Sequence, residues 1–285
     1  MQVKIIECPR DAMQGIKIFI PTKKKIDYIN QLLKVGFDTL DFGSFVSPKS
    51  IPQLKDTADV LNKLKLESTN SKLLAIVANK RGAEDTIKFE EIKILGFPFS
   101  ISETFQQRNT NSTIQESLKR VEDIKTLCTK NNKDLVVYIS MGFGNPYGDK
   151  WDSEIVVKWI EKLAQLDIKI IQLSDTIGVA NSEIITYLFS HLIPNFSDVE
   201  IGAHFHTTPD RWEEKINAAY QNGCKRFDGA IKGFGGCPMA EDELTGNMPT
   251  ENLISFFKNK KIELNLDMEN FHIAEKMSLD VFPLN

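Results

Sequence analysis

Two histidines, His204 and His206, stand two positions apart near the end of a stretch, 199–206, that predicts a β-strand. Because side chains alternate between the two faces of a strand, both imidazoles point the same way. Two imidazoles side by side provide half of a divalent metal site. The alternative is a pair of hydrogen-bonded histidines inside a barrel, and the spacing alone does not decide between them.

Other polar residues come at the points where further predicted strands end, and these residues are Arg10, Asp11, Asp41, Ser44, Asp175, Cys237 and Asn247. Asp11 with the two histidines would give one carboxylate and two imidazoles, with coordination positions left open. An amide oxygen such as that of Asn247 would make the site suit Mg²⁺ or Mn²⁺ as well as Zn²⁺. A non-haem iron oxygenase uses a similar triplet but is usually built on a different fold.

Several of the remaining polar candidates have more than one interpretation. Arg10 could hold a developing oxyanion beside a metal, or form a structural ion pair with Glu7 or Asp175. Asp175 could be a base, a partner to a metal ligand, or that ion-pair mate. Cys237 could transfer a proton, or be a small residue in a tight turn. The glycines of the loop 233–237 could cradle a phosphate or act as a hinge.

The elements that must position these residues alternate along the whole chain. Predicted strands lie at 3–7, 37–42, 73–78, 97–102, 135–140, 168–173, 199–204 and 225–229. Predicted helices lie at 21–35, 52–66, 84–93, 112–130, 153–166, 182–192, 209–221, 250–257 and 266–279. Eight strand–helix units of about 30–35 residues each are typical of a closed parallel barrel. We therefore predict an α/β fold, a (β/α)8 TIM barrel with an extra C-terminal helix, as a single domain over 1–285.

An open doubly wound sheet is the competing fold. It would require a glycine-rich phosphate-binding turn after the first strand, where this chain has CPRDAMQ. In a barrel, the active site lies at the C-terminal ends of the strands, which is where the polar candidates converge.

Composition narrows the function classes. The chain has 285 residues, a net charge of −4 and 41% hydrophobic residues. The charge argues against general nucleic-acid binding, and no apolar run reaches the roughly 18 residues that a membrane span needs. We see no signal or transit peptide, and the four cysteines form no C-x-x-C pair. These features predict a cytoplasmic protein without nucleic-acid or membrane partners.

Several short stretches resemble the 3-hydroxy-3-methylglutaryl-CoA lyase family. In the family's order they are ECPRDAMQ at 7–14, SFVSPK at 44–49, QRNTN at 107–111, SDTIGV at 174–179, HFH at 204–206, GGCP at 235–238 and TGN at 245–247. The resemblance implies a TIM-like barrel that cleaves 3-hydroxy-3-methylglutaryl-CoA to acetoacetate and acetyl-CoA. It also implies a divalent metal ion, Mg²⁺ or Mn²⁺, and a homodimer.

The resemblance also implies roles for individual residues. The positions that match the family's metal ligands are Asp11, His204, His206 and Asn247. The positions given a catalytic role are Arg10, which would steady the enolate, Cys237, Asp175 and His204. The positions expected to bind the substrate are Arg10, Asp41, Ser44 and Glu251. Lys49, Arg108 and Asn109 are candidate coenzyme A contacts from their location alone.

The sequence departs from the family pattern at several positions. Thr207 follows His-x-His where the family usually has Asp, so a carboxylate that orients a ligand histidine is expected to be missing or replaced. Position 41 is Asp rather than Glu, and the loop after Cys237 is longer and more acidic. These departures leave open a lyase acting on a longer branched 3-hydroxyglutaryl-CoA.

Two further alternatives remain. A condensing synthase of the isopropylmalate or homocitrate type belongs to the same superfamily, but it usually carries an additional C-terminal region. A barrel that kept a metal as a structural element would need no cation at position 10 and no thiol at position 237.

Overall fold

Eight parallel strands close into a barrel in the computed structural model, which describes residues 2–236 and 245–282. The strands are β1 (Lys4–Glu7), β2 (Thr39–Ser44), β3 (Lys72–Ile76), β4 (Ile92–Ser100), β5 (Asp134–Ser140), β6 (Ile170–Asp175), β7 (Glu200–Thr207) and β8 (Arg226–Gly229). Each strand pairs with the next along the chain, and β8 pairs with β1 to close the ring. A two-residue strand, β9 (Gly246–Asn247), runs antiparallel to β7.

Helices surround the barrel. They are α1 (Pro9–Gln14), α2 (Thr22–Leu33), α3 (Thr57–Leu61), α4 (Lys80–Thr86), α5 (Glu103–Thr110), α6 (Ile114–Lys130), α7 (Ser153–Gln165), α8 (Ser182–Asn195), α9 (Trp212–Gln221), α10 (Thr250–Asn259) and α11 (Met268–Val281). Single 3₁₀ turns lie at Pro52–Leu54 and Ile231–Gly233. The predicted (β/α)8 barrel and its extra C-terminal helix, α11, are confirmed.

The strands are buried on both faces because helices cover the outside and the lumen is filled with side chains. The large core lies between strands and helices. A second, smaller cluster lies in the lumen, and its buried members are Leu74, Ile76, Ile94, Val136 and Tyr138. No helix within residues 2–236 and 245–282 is long and apolar enough to cross a membrane.

Several local predictions differ from the structure: α4 lies at Lys80–Thr86 rather than at 84–93, and β4 begins at Ile92 rather than at residue 97. The predicted helix 52–66 is divided into a 3₁₀ turn and the short α3. Asp56 lies between the two pieces, and its carboxylate accepts hydrogen bonds from Thr22 and Lys25. Two short helices, α1 and α5, were not predicted, because six to eight residues show too little periodicity. Local signals start them: Pro9 opens α1, and Ser102 caps α5 by accepting from the N–H of Phe105.

Candidate active site and metal centre

The structure brings together Asp11, His204 and His206 at the C-terminal end of the barrel. Helix α1 begins directly after β1 and carries Asp11, while the end of β7 carries both histidines. One ligand atom from each residue lies within 4.8 Å of the other two. A carboxylate and two imidazoles at this separation form a possible divalent metal site.

The protonation states of this group suit a cation. Burial favours the neutral acid at Asp11, but Arg10 and the two imidazoles outweigh it and lower its pKa to about 2. Burial, together with the neighbouring His204, lowers the pKa of His206 to about 4. At neutral pH the group therefore contains an anion and a neutral imidazole. Among the described residues, the buried Nδ1 of His206 has no hydrogen-bond partner. The donor set thus fits a divalent cation.

Asn247 completes this corner of the site. Because β9 pairs with β7, Asn247 lies opposite His206. Its Nδ2 donates to Oδ2 of Asp11 at 2.9 Å and to the carbonyl of Phe234 at 2.8 Å. A role as a metal ligand would require the amide oxygen, whereas the contact with Asp11 is made through the nitrogen.

Asp228 on β8 orients His204, a contact that sequence reasoning missed. Nδ1 of His204 lies 3.0 Å from Oδ2 of Asp228. Because a carboxylate only accepts, Nδ1 carries the proton and Nε2 keeps a lone pair. Burial opposes the charged imidazole, but the hydrogen bond and charge of Asp228 raise the pKa of His204 overall. The sequence did carry a signal for Asp228: it is an acidic residue within a buried strand, at a position that the alternation of side chains places in the lumen.

A second group, Cys8 with His204 and Asp228, also brings ligand atoms close together. Burial raises the pKa of the Cys8 thiol well above its usual range, and the nearby carboxylates raise it further. A protonated thiol is a poor metal ligand. The group that contains Asp11 is therefore the better candidate.

Arg10 lies beside the metal candidate and is paired with Asp41 and Asp11. Its Nε lies 2.9 Å from Oδ2 of Asp41, its Nη2 donates to the same carboxylate, and its Nη1 donates to Asp11 at 2.7 Å. Nη1 also donates to Oε1 of Gln14 at 2.9 Å. The alternative interpretation, an ion pair of Arg10 with Glu7 or Asp175, is wrong, because both carboxyls lie on the helix side of their strands, where other partners hold them. A guanidinium has five N–H groups, so one N–H of Nη2 is not used by these partners.

Asp41 lies beneath the guanidinium, fully buried. Burial raises its pKa to about 6, against the opposing effect of Arg10. The carboxyl is ionised above that pH and holds the planar guanidinium through both oxygens. Asp41 is not among the residues that line the cavity described below, so any effect of Asp41 on a bound molecule would pass through Arg10.

Asp175 faces the helix layer and is paired with Lys215 of α9. Nζ of Lys215 lies 2.6 Å from Oδ2 of Asp175, and neither side chain is exposed. The same Nζ donates to the carbonyls of His206 and Gly178. The ion pair links the end of β6 to the end of β7. Asp175 therefore helps to hold these two strand ends in position. Lys215 was missed, although a lysine on the inward face of an amphipathic helix was a usable signal.

Glu7 at the end of β1 also faces the helix layer. Its carboxyl accepts from the backbone N–H of Ile231 at 2.9 Å and from the hydroxyl of Thr250 at 2.5 Å. Burial raises its pKa to about 8. This contact links β1 to the segments on both sides of Asn247.

A cavity of about 770 Å³ opens above the metal candidate. Its lining includes Arg10, Asp11, Gln14, Tyr138, Ser174, Thr176, His204, His206 and Gly236 near the centre, and Ser47, Asn79, Arg108, Asn109 and Arg120 farther out. Arg108 and Asn109, two of the proposed coenzyme A contacts, therefore lie on the cavity, while Lys49 is exposed outside its lining.

Besides Asp41 and Asp175, three more expected site residues lie away from the cavity surface or outside the described structure. The hydroxyl of Ser44 donates to the carbonyl of Ile76 and accepts from the N–H of Val46, whose side chain does line the cavity. Glu251 in the first turn of α10 accepts from the N–H of Lys232. Cys237 lies outside the described residues.

The glycine loop packs closely on the candidate metal ligands. A Cβ at Gly235, which has φ of +83°, would lie 2.9 Å from both Nδ2 of Asn247 and the carbonyl oxygen of Asp11. Both the close approach of the backbone and the left-handed φ therefore require glycine at this position. This contact supports neither of the expected roles, phosphate cradle or hinge.

Together, a (β/α)8 barrel, a carboxylate–imidazole group at the C-terminal strand ends and a cavity above it define a barrel enzyme with a possible metal centre. The chain belongs to the HMGL-like family, whose family model matches residues 2–277.

Similar proteins agree with this assignment. The hydroxymethylglutaryl-CoA lyase of Bacillus subtilis is 33% identical over 268 residues, 94% of this chain and 89% of that protein. A Pseudomonas aeruginosa relative, named 3-hydroxy-3-isohexenylglutaryl-CoA/hydroxymethylglutaryl-CoA lyase, is 30% identical over 94% of this chain and 88% of its own length.

Two solved structures are also close. The Bacillus subtilis HMG-CoA lyase has a TM-score of 0.92 at 32% identity, covering 98% of this chain and 93% of that one. The Acinetobacter baumannii HMG-CoA lyase, in complex with coenzyme A and 3-methylmalate, has a TM-score of 0.91 at 29% identity, covering 99% and 91%. The resemblance inferred from the short sequence stretches is confirmed.

Proposed function

We propose that this protein is a metal-dependent lyase that cleaves 3-hydroxy-3-methylglutaryl-CoA to acetoacetate and acetyl-CoA. The observation that carries the proposal is the Asp11–His204–His206 group with the Arg10 guanidinium beside it, inside a barrel of the HMGL-like family. Mg²⁺ or Mn²⁺ suits a site in which the amide oxygen of Asn247 would join the carboxylate of Asp11 beside the two imidazoles. The homodimer and the cytoplasmic location stay predictions.

The reaction breaks the bond between the carbinol carbon and the carbon next to the thioester. The hydroxyl loses its proton, its oxygen becomes the ketone oxygen of acetoacetate, and the bonding electrons move into the thioester as an enolate. A divalent cation, when bound, makes the hydroxyl more acidic and polarises the oxygens around it. The enolate carbon then gains a proton to give acetyl-CoA.

The chain's own residues supply the other parts. Arg10 offers the N–H of Nη2 that its partners leave unused, together with a charge held in place by Asp41, to the enolate oxygen. Asp228 keeps the proton of His204 on Nδ1. We assign the proton that reaches the enolate carbon to the thiol of Cys237, because the Nδ1 proton of His204 faces Asp228 and its Nε2 faces the candidate metal centre.

The substrate's coenzyme A part would follow the outer cavity wall. Arg108 lies with its guanidinium carbon 4.8 Å from the ring centre of Tyr147, and Arg120 donates to the carbonyl of Thr110. These two cations suit the phosphates of an acyl-CoA. The relative named for an isohexenyl substrate makes a longer acyl group the second candidate.

The test is a metal-dependence assay on the purified protein. Acetyl-CoA release from 3-hydroxy-3-methylglutaryl-CoA is measured after chelation and again after adding Mn²⁺. The same measurements are made in parallel with 3-hydroxy-3-isohexenylglutaryl-CoA as the substrate. We expect the chelated protein to be inactive and Mn²⁺ to restore release. Asp11→Asn should stay inactive with Mn²⁺, whereas the exposed control Asp27→Asn should respond like the unmodified protein. Full activity after chelation would contradict the metal mechanism.

A further inference from the structure

A hydrogen-bonded column continues below His204 into the barrel. Asp228 accepts from His204 through Oδ2 and from Nε2 of Gln172 on β6 through Oδ1, at 3.0 Å and 2.5 Å. All three side chains point into the lumen, and both Gln172 and Asp228 are buried. The two oxygens of the carboxylate are thus held by side chains from two other strands, β6 and β7.

Gly202 makes room for this arrangement. It is the register partner of Gln172 across the β6–β7 ladder. A Cβ built on Gly202 would lie 1.6 Å from Oε1 and 2.7 Å from Cδ of Gln172. The amide of Gln172 therefore occupies the space that any other side chain at position 202 would need. The backbone of Gly202 is not in the left-handed region, so close approach alone accounts for glycine here.

The bond to Asp228 is what this placement of Gln172 achieves. Within the described residues, Oε1 of Gln172 is buried without a hydrogen-bond partner. An unsatisfied buried acceptor is destabilising, so the amide is not placed there for its own hydrogen bonding. Instead, the side chain of Gln172 provides one hydrogen-bond donor to the carboxylate of Asp228, which orients His204.

We propose that Gln172 and Gly202 form a positioning pair for His204. Gln172 holds Asp228 at the angle that keeps the proton on Nδ1 of His204 and directs Nε2 towards the candidate metal centre. Gly202 admits the glutamine side chain. Partners behind a metal-binding histidine orient the ring and raise its basicity, and their loss typically weakens metal binding about 10–100-fold. This inference rests on the proposed metal-dependent function.

Calorimetric titration with Mn²⁺ tests the pair without requiring turnover. Gln172→Met keeps the length of the side chain and removes the donor, and Gly202→Ala keeps the donor and displaces it sterically. We expect each variant to bind Mn²⁺ at least about tenfold more weakly than the unmodified protein, with saturating Mn²⁺ recovering acetyl-CoA release. The matched control is Gln31→Met, which removes a buried amide that bonds Asn270 far from the site. It should bind Mn²⁺ unchanged.

The outcomes separate this inference from the proposed function. If the unmodified protein binds Mn²⁺ and both variants bind it equally well, the positioning pair is wrong and the metal site stands. If the unmodified protein does not bind Mn²⁺, both are overturned. Should Gln172→Met fail to fold by circular dichroism, the result with Gly202→Ala decides.

Discussion

Substituting Glu7 by Gln changes one property of the protein, its ability to ionise at this position. Both hydrogen-bond partners of the Glu7 carboxyl, the N–H of Ile231 and the hydroxyl of Thr250, are neutral. A glutamine can accept from Ile231 through its oxygen and donate to Thr250 through its nitrogen. The variant therefore keeps both bonds and the packing, and the stability difference reports the cost of a buried charge.

The magnitude follows from the pKa. Burial raises the pKa of Glu7 from 4.5 to about 8. The difference of about 3.5 units, at about 1.36 kcal/mol per unit, corresponds to on the order of 5 kcal/mol. Between pH 4.5 and 8 the folded state holds a proton that the unfolded state has lost. The free energy of unfolding of the unmodified protein therefore falls as pH rises through this window, by at most about 1.4 kcal/mol per unit, and levels off above pH 8.

Glu7→Gln has no carboxyl to ionise at this position and keeps this part of the free energy of unfolding. The difference in free energy of unfolding between the variant and the unmodified protein should therefore grow from near zero at pH 4.5 to several kcal/mol above pH 8. The assay is urea denaturation followed by circular dichroism at pH 5, 6.5, 8 and 9, at constant ionic strength. Other titrating groups contribute equally to both proteins and cancel in the difference. Glu213→Gln, on the exposed face of α9, is the control and should show no such trend. Parallel stability curves for Glu7→Gln and the unmodified protein would refute the reasoning.

Two further predictions concern the site itself. Arg10→Lys keeps the charge but loses the planar fork that Asp41 and Asp11 hold, so kcat for acetyl-CoA release should fall about 10²–10³-fold with a smaller change in KM; a normal kcat would contradict the role of Arg10. Gly235→Ala places a methyl group 2.8 Å from Cα of Ala12 and 2.9 Å from Nδ2 of Asn247. Calorimetry should then show weaker Mn²⁺ binding, and unchanged affinity would count against Asn247 as a ligand.

The fold could be predicted from the sequence because its signal repeats. Apolar strands alternating with amphipathic helices recur eight times, and errors of a few residues at each boundary do not change the topology. Helices α1 and α5 were not predicted because their signals are single residues, Pro9 and Ser102, rather than a repeating pattern of apolar residues. The metal candidates could be named because the strand ends of a barrel meet at one face.

The residues that hold the site residues in position could not be predicted from the sequence in this way. Gln172, Lys215 and Asp228 act across strands or between a strand and a helix, and their contacts depend on register. No local pattern encodes which residue of β6 lies beside which residue of β7. The sequence did show polar residues in buried elements, but not what those residues touch.

The departure at Thr207 illustrates this limit. The sequence placed Thr where the family usually has Asp, and a carboxylate orienting a ligand histidine was therefore expected to be missing or replaced. Because side chains alternate along β7, position 207 faces the helix layer while His204 and His206 face the lumen. A carboxylate at position 207 would lie on the opposite face from both imidazoles. The carboxylate that contacts His204 comes instead from its register partner on the next strand, Asp228. The orientation of His204 is thus independent of the residue at position 207, and Thr207 gives no reason to doubt the metal site.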